Sequence, residues 1–166
     1  MRSARFAQTP IGSAFTDDAL DLYFRRYAGQ NQFRHHVGVT YVAVEVGRVL
    51  GFATVAAASV DADDLPGARR MPPYPMPVLR IARLAVAEVD HGRGLGKALL
   101  RFCVEIAERM RDEVGCVDVV VDAKAGAVEF YRRYGFAAVD EEVGGVAGVP
   151  RPTLLFLPLG SVPRKR

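Results

Sequence analysis

Val89-Asp90-His91-Gly92-Arg93-Gly94-Leu95-Gly96-Lys97 lies between an apolar, β-branched run, Val78 to Val86, and a long segment from Gly94 to about Val114. In that segment Leu99, Cys103, Ile106 and Met110 recur at helical spacing, which predicts one core-facing stripe. The order is therefore strand, glycine-rich turn, helix. Glycine lacks Cβ and lets a ligand approach the backbone, and the free N–H groups at a helix N-terminus attract an anion. The stretch is not a Walker loop, for it lacks GxxxxGK[ST]. Nor is it a Rossmann fingerprint, since no third glycine falls at the required place. Spacing alone leaves a pyrophosphate site and an ordinary flexible helix start both open.

Upstream, Thr16 can cap a helix from Asp17 to about Tyr27, with Leu20, Phe24 and Tyr27 at helical spacing. Thr40 to Val46 and Val49 to Ala58 read as two strands, with Gly47-Arg48 as the tight turn of an antiparallel hairpin. Between them and Val78 lies Asp61 to Pro77, which holds Pro66, Pro72, Pro73, Pro75 and Pro77. Prolines cannot donate a continuous ladder, so this stretch is an irregular connection of a length that usually serves function. Downstream, Cys116 to Val121 is a nearly all-apolar strand of the kind buried on both faces. A helix from about Lys124 to Tyr134 follows, which Gly135 can end, and Thr153 to Leu157 is a last strand. Strands preceding a βαβα run predict an α/β fold, a mixed sheet with helices on both faces.

A chain of 166 residues, 50% of them hydrophobic, has the size and apolar content of one domain, 1–166, with a basic tail from about residue 160. The longest weakly polar run, Phe52 to Val60, is far short of the roughly 20 residues that span a bilayer, and Met1 to Pro10 has no apolar leader region. A cytoplasmic protein with no membrane association is expected. Cys103 and Cys116 lack CxxC spacing and read as buried free thiols; no metal is expected. The formal net charge is only +3, but arginines cluster at Arg25-Arg26, Arg69-Arg70, Arg80 and Arg83, Arg132-Arg133 and the Arg164-Lys165-Arg166 tail. Such clusters are either solvated surface or the counterpart of a phosphate-rich partner, which guanidinium groups bind in fork geometry.

With these residues in place, the chain resembles the GNAT superfamily of acyltransferases. His91-Gly92-Arg93-Gly94-Leu95-Gly96 matches that family's [QR]-x-x-G-x-[GA] loop except at the first residue, and Phe130-Tyr131-Arg132-Arg133-Tyr134-Gly135-Phe136 matches its FYxxxGF signature. The resemblance covers roughly residues 40 to 157. It implies the GNAT fold, a mixed sheet whose two central strands splay to admit acetyl-CoA. Cosubstrate contacts are then expected at Leu84, Ala85 and Val86 at the end of one strand, at Asp122 on its neighbour, at Phe130, and at His91, Gly92, Arg93, Gly94, Leu95, Gly96 and Lys97. Tyr131 is the implied catalytic acid for the departing thiolate, with Tyr134 its competitor one turn on. A tyrosine of ordinary pKa, about 10, is protonated at neutral pH and can donate.

Many GNAT relatives carry a glutamate base where this chain has Arg83, and no carboxylate lies between Val78 and Ala87. A lysine amine, pKa about 10.4, needs such help; an α-amine, about 8, needs less, and one on an aminoacyl ester should be lower still. Phe24 to Gln32, Thr40-Tyr41-Val42, Gly51-Phe52-Ala53-Thr54, Ala82-Arg83-Leu84-Ala85-Val86 and Thr153-Leu154-Leu155-Phe156-Leu157 together resemble the GNAT toxins of bacterial toxin–antitoxin pairs, in which His91 also has its counterpart. The Asp-[Cys/Ser]-Gly turn that this group often carries is missing before Asp17. That resemblance implies acetylation of the α-amine of aminoacyl-tRNA, a block of translation, a ribbon-helix-helix antitoxin partner and a homodimer. Arg69, Arg70, Arg80 and Arg83 are the arginines expected to meet tRNA. Two alternatives stay open: an acetyltransferase for a small amine or a peptide N-terminus, and an inactive CoA-sensing or nucleic-acid-binding module.

Overall fold

The computed structural model describes residues 37–46, 48–65, 72–138 and 152–162. The expected helix at 17–27, Arg69, Arg70 and the 164–166 tail lie outside the described residues. Eight regular elements appear among those described: β1 (Val39–Glu45), β2 (Arg48–Val60), β3 (Met76–Val86), α1 (Leu95–Glu113), β4 (Asp118–Ala123), α2 (Val128–Arg132), β5 (Ala137–Ala138) and β6 (Thr153–Pro158). The strands form one sheet in the order β1-β2-β3-β4-β6-β5.

The sheet is mixed, as expected from the alternation of elements. β1 and β2 pair antiparallel, and so do β4 with β6 and β5 with β6. The Ala87 amide, just past β3, donates to the Leu50 carbonyl at the start of β2 (2.7 Å), an antiparallel relation. By contrast the Val117 amide before β4 donates to Pro77 at the start of β3 (2.9 Å), so these two strands begin at the same end and run parallel. Parallel neighbours need a crossover, which α1 supplies.

The chain divides into two compact units. In the first, Met1–Ala57 with Ile81–Ile106, Phe52, Ile81, Leu99 and Cys103 are fully buried, and the Tyr41 and Phe102 rings meet edge-on at 4.9 Å. Thr40 and Thr54, opposite each other across β1 and β2, share a buried hydroxyl hydrogen bond of 2.8 Å. In the second, Ala58–Arg80 with Ala107–Arg166, the core is built from Val60, Leu65, Met76, Val78, Val120 and Phe156.

Several boundaries differ from the sequence reading. Glu45 pairs with Arg48, so Arg48 is the first residue of β2 rather than part of the turn. β3 begins at Met76 and takes in Pro77, because a proline at a strand start still offers its carbonyl. The fully buried face of α1 is Leu99, Leu100, Cys103 and Ala107; Ile106 and Met110 are only half-buried. β4 starts two residues late and ends two residues late, and it buries Asp118. The helix expected from Lys124 shrinks to a 3-10 turn, Ala125–Ala127, followed by the five residues of α2. Both cysteines are buried free thiols, and burial pushes Cys103 up to about 12, away from reactivity. Among the described residues no helix is long and apolar enough to cross a membrane.

Candidate functional site

Gly92 and Gly94 both sit in the left-handed region, at φ +80° and +77°, and a Cβ built on either would meet nothing within 4 Å. The glycines are thus needed for the turn itself, and the space before them is open. The first bond of the new helix runs from the Ala98 amide to the Gly94 carbonyl (3.0 Å), so Leu95, Gly96 and Lys97 precede the helical ladder with their amides at its N-terminus. His91 spends its own amide on Glu88 (3.2 Å) and rests its ring Nε2 3.1 Å from the Val86 carbonyl. Leu84 and Val86 are half-buried and Ala85 buried, so β3 reaches the turn with its last residues partly open.

A chain of charges braces this turn. Arg48, first residue of β2, grips Asp90 with both ends of its guanidinium, at 2.5 and 2.9 Å. Arg93 donates to the same carboxylate at 2.6 Å and reaches Glu45, last residue of β1, at 3.0 and 3.2 Å. Asp90 is only 3% exposed. The Arg48 hydrogen bonds hold its carboxyl down to about 2, against the pull of burial and with help from Arg93. The Arg93 side chain is thereby committed to Asp90 and Glu45. Asp90 and Arg93 stand three apart in the quoted stretch, but nothing local in the sequence marks Arg48 and Glu45 as their partners.

In the second unit, Tyr131 lies on α2 and is 5% exposed. The Phe136 amide donates to its carbonyl (3.3 Å) and the Gly135 amide to Arg132 (3.1 Å), with Gly135 at φ +90°. This is the bond pair of a glycine-terminated helix, and its customary apolar contact is present as the Tyr131 and Phe136 rings, 5.4 Å apart. Phe130 meets Tyr131 at 5.1 Å and Tyr134 at 5.3 Å, both edge-on. So five helical residues, too few to hold a side chain by helix alone, fix Tyr131 through their cap and an aromatic cluster. Tyr134 is half-buried and touches only Phe130 among these rings.

The arginines expected to meet nucleic acid are placed differently from one another. Arg80 pairs with Asp122 at 2.6 Å, bringing together a residue expected at tRNA and one expected at the cosubstrate. Arg83 is exposed and donates to the Ala82 carbonyl at 2.7 Å. The first described end of the proline-rich connection is acidic instead: Asp61, Asp63 and Asp64 line a cavity of about 410 Å³ with Pro73, Tyr74 and Pro75 of its other end.

A strand, a glycine turn with open space before it and a long helix behind it make this an α/β protein whose turn has the shape that suits an anion. The acetyltransferase (GNAT) domain family matches residues 36–138, and the chain belongs to that family of N-acetyltransferases. It is 37% identical over 124 residues, 72% of this chain and 73% of the relative, to the tRNA-acetylating toxin of Mycobacterium tuberculosis (strain ATCC 25618 / H37Rv). The fold is also that of AtaT complexed with acetyl-methionyl-tRNAfMet, with a TM-score of 0.76 at 22% identity over 89% of this chain and 85% of that one. A mutant of the toxin AtaT bound to the C-terminus of the antitoxin AtaR and acetyl-CoA superposes with a TM-score of 0.70 at 20% identity, covering 88% and 82%. The family expected from the two motifs is the family found.

Proposed function

We propose that this chain transfers the acetyl group of acetyl-CoA to the α-amine of an aminoacyl-tRNA and so acts, in the cytoplasm, as a translation-blocking toxin. The likeness to the mycobacterial tRNA-acetylating toxin over nearly three quarters of both chains carries the reading. The turn at Gly92 and Gly94 and the amides of Leu95, Gly96 and Lys97 bind the pyrophosphate; Leu84, Ala85 and Val86 offer strand backbone to the pantetheine. The neutral amine attacks the thioester carbonyl, the C–S bond breaks, and the Tyr131 hydroxyl gives its proton to the departing thiolate. Absence of a carboxylate along β3 suits an amine that is already largely neutral. An antitoxin as partner is supported by the antitoxin bound to the AtaT relative, and a ribbon-helix-helix form of it and a homodimer assembly complete the reading.

One observation favours a second reading, a small cationic amine or a peptide N-terminus as acceptor: the acid-lined cavity at Asp61, Asp63 and Asp64 would attract a cation and repel a phosphate. Incubation with acetyl-CoA and charged total tRNA, with the acetylated amino acids identified, separates the two. Charged tRNA should be acetylated, with an affinity that falls steeply from low to high salt as phosphate contacts release counterions. Arg83→Ala, and Arg69→Ala with Arg70→Ala, should flatten that slope. Acetylation of polyamines or peptides with charged tRNA ignored would overturn the toxin reading.

A further inference from the structure

The Glu45–Arg93–Asp90–Arg48 chain joins two turns that are far apart in sequence. Glu45 and Arg48 face each other as the closing pair of the β1–β2 hairpin, while Asp90 and Arg93 bracket His91 and Gly92 in the glycine turn. Isolated surface ion pairs are worth little, but this one is a network with a buried carboxylate at its centre, gripped by one guanidinium in fork geometry and by a second from the side. Gly92 and Gly94 have the widest backbone freedom of any residues, so a turn built on them has many conformers to lose when it closes on a ligand. We infer that Arg48 and Asp90 are positioning residues that hold the glycine turn in its ligand-ready shape, with Arg93 as the strut between them and Glu45. Arg93 accordingly serves the cosubstrate through its tether rather than through its charge.

The inference rests on the glycine turn being the acetyl-CoA site. A preordered turn lowers the ordering cost of binding without touching the reacting atoms. Arg48→Ala should therefore weaken acetyl-CoA binding about tenfold by calorimetry and raise its KM in step, while kcat at saturating acetyl-CoA and the KM of the acceptor stay within about twofold. Arg48→Lys, which keeps the charge but loses the fork, should recover part of the affinity. Glu45→Gln, at the exposed outer end, should show a smaller loss in the same direction. Arg48→Ala combined with Asp90→Asn should cost much less than the two single losses added, because both remove one network. Two controls keep the outcomes apart: the melting temperature of each variant, and Gly94→Ala, whose Cβ would intrude on the turn's open side. If Gly94→Ala binds acetyl-CoA like wild type, the site itself is misplaced and the inference falls with it. If Gly94→Ala is impaired while Arg48→Ala and Glu45→Gln bind normally, or lower kcat and both affinities together, the site stands and the positioning role is overturned.

Discussion

Tyr131 is held by a helix cap that uses its carbonyl and by ring contacts to Phe130 and Phe136. Tyr131→Phe removes one oxygen and keeps the cap and both ring contacts, so the variant should stay folded and bind acetyl-CoA normally. Its acetyl-transfer rate should fall by roughly 10²- to 10⁴-fold, the range for lost acid–base assistance. Tyr134→Phe should matter little, because that ring is half-buried and held by Phe130 alone in the cluster. Single-turnover rates of both variants decide the matter: a slow Tyr134→Phe beside an active Tyr131→Phe would move the acid one turn along the chain.

The β1–β2 hairpin carries a residue that works against its own turn. Val46 is β-branched yet sits at φ +47°, in the left-handed region, and its side chain is fully exposed, so no packing offsets the strain. Asn accepts that conformation readily and is favoured in two-residue hairpin turns. Val46→Asn should stabilise the fold by about 0.5–1 kcal/mol, the usual gain from a compatible turn residue, and raise Tm by about 2–3 °C. A lower Tm in thermal melts would contradict the turn geometry. The same hairpin marks the limit of what the sequence discloses. Alternating and β-branched runs made β1, β2 and β6 legible, and the glycine spacing after an apolar run located the glycine turn between β3 and α1. Arg48 was read into the turn because strand register is set by cross-strand pairing, here Glu45 with Arg48, which the sequence does not show. β5, two residues long, has no periodicity to read. The α1 stripe came out rotated because Leu99, Leu100, Cys103 and Ala107 are chosen by the packing around them, and small residues such as Ala107 carry no hydrophobic signal of their own. Arg48 and Glu45 were invisible as braces of a turn more than forty residues away, since only tertiary pairing brings them to Asp90 and Arg93.

At the scale of the whole molecule, two carboxylates bend the pH dependence of stability in opposite directions. Asp90, clamped by Arg48 and Arg93, is held to about 2 in the folded chain against an ordinary 3.8. Its contribution is therefore present above about pH 4 and is lost as pH falls from there towards 2. Asp118, buried at the start of β4, is pushed up to about 6 by loss of water around it. The folded chain holds that proton more tightly than the unfolded one, so its contribution is full below about pH 4 and is lost as pH rises to about 6; above that, keeping the charge buried is a constant cost. Asp118→Asn should therefore be more stable than wild type at pH 7, and the change in that difference should be confined to the window between about pH 4 and 6. Asp90→Asn should be less stable at pH 7, with a deficit that shrinks only below pH 4. Urea unfolding of wild type and both variants from about pH 2 to 8 measures this directly. Variant curves that run parallel to wild type through both windows would mean that neither carboxyl titrates differently on folding, and that the clamp on Asp90 and the burial of Asp118 are both wrong.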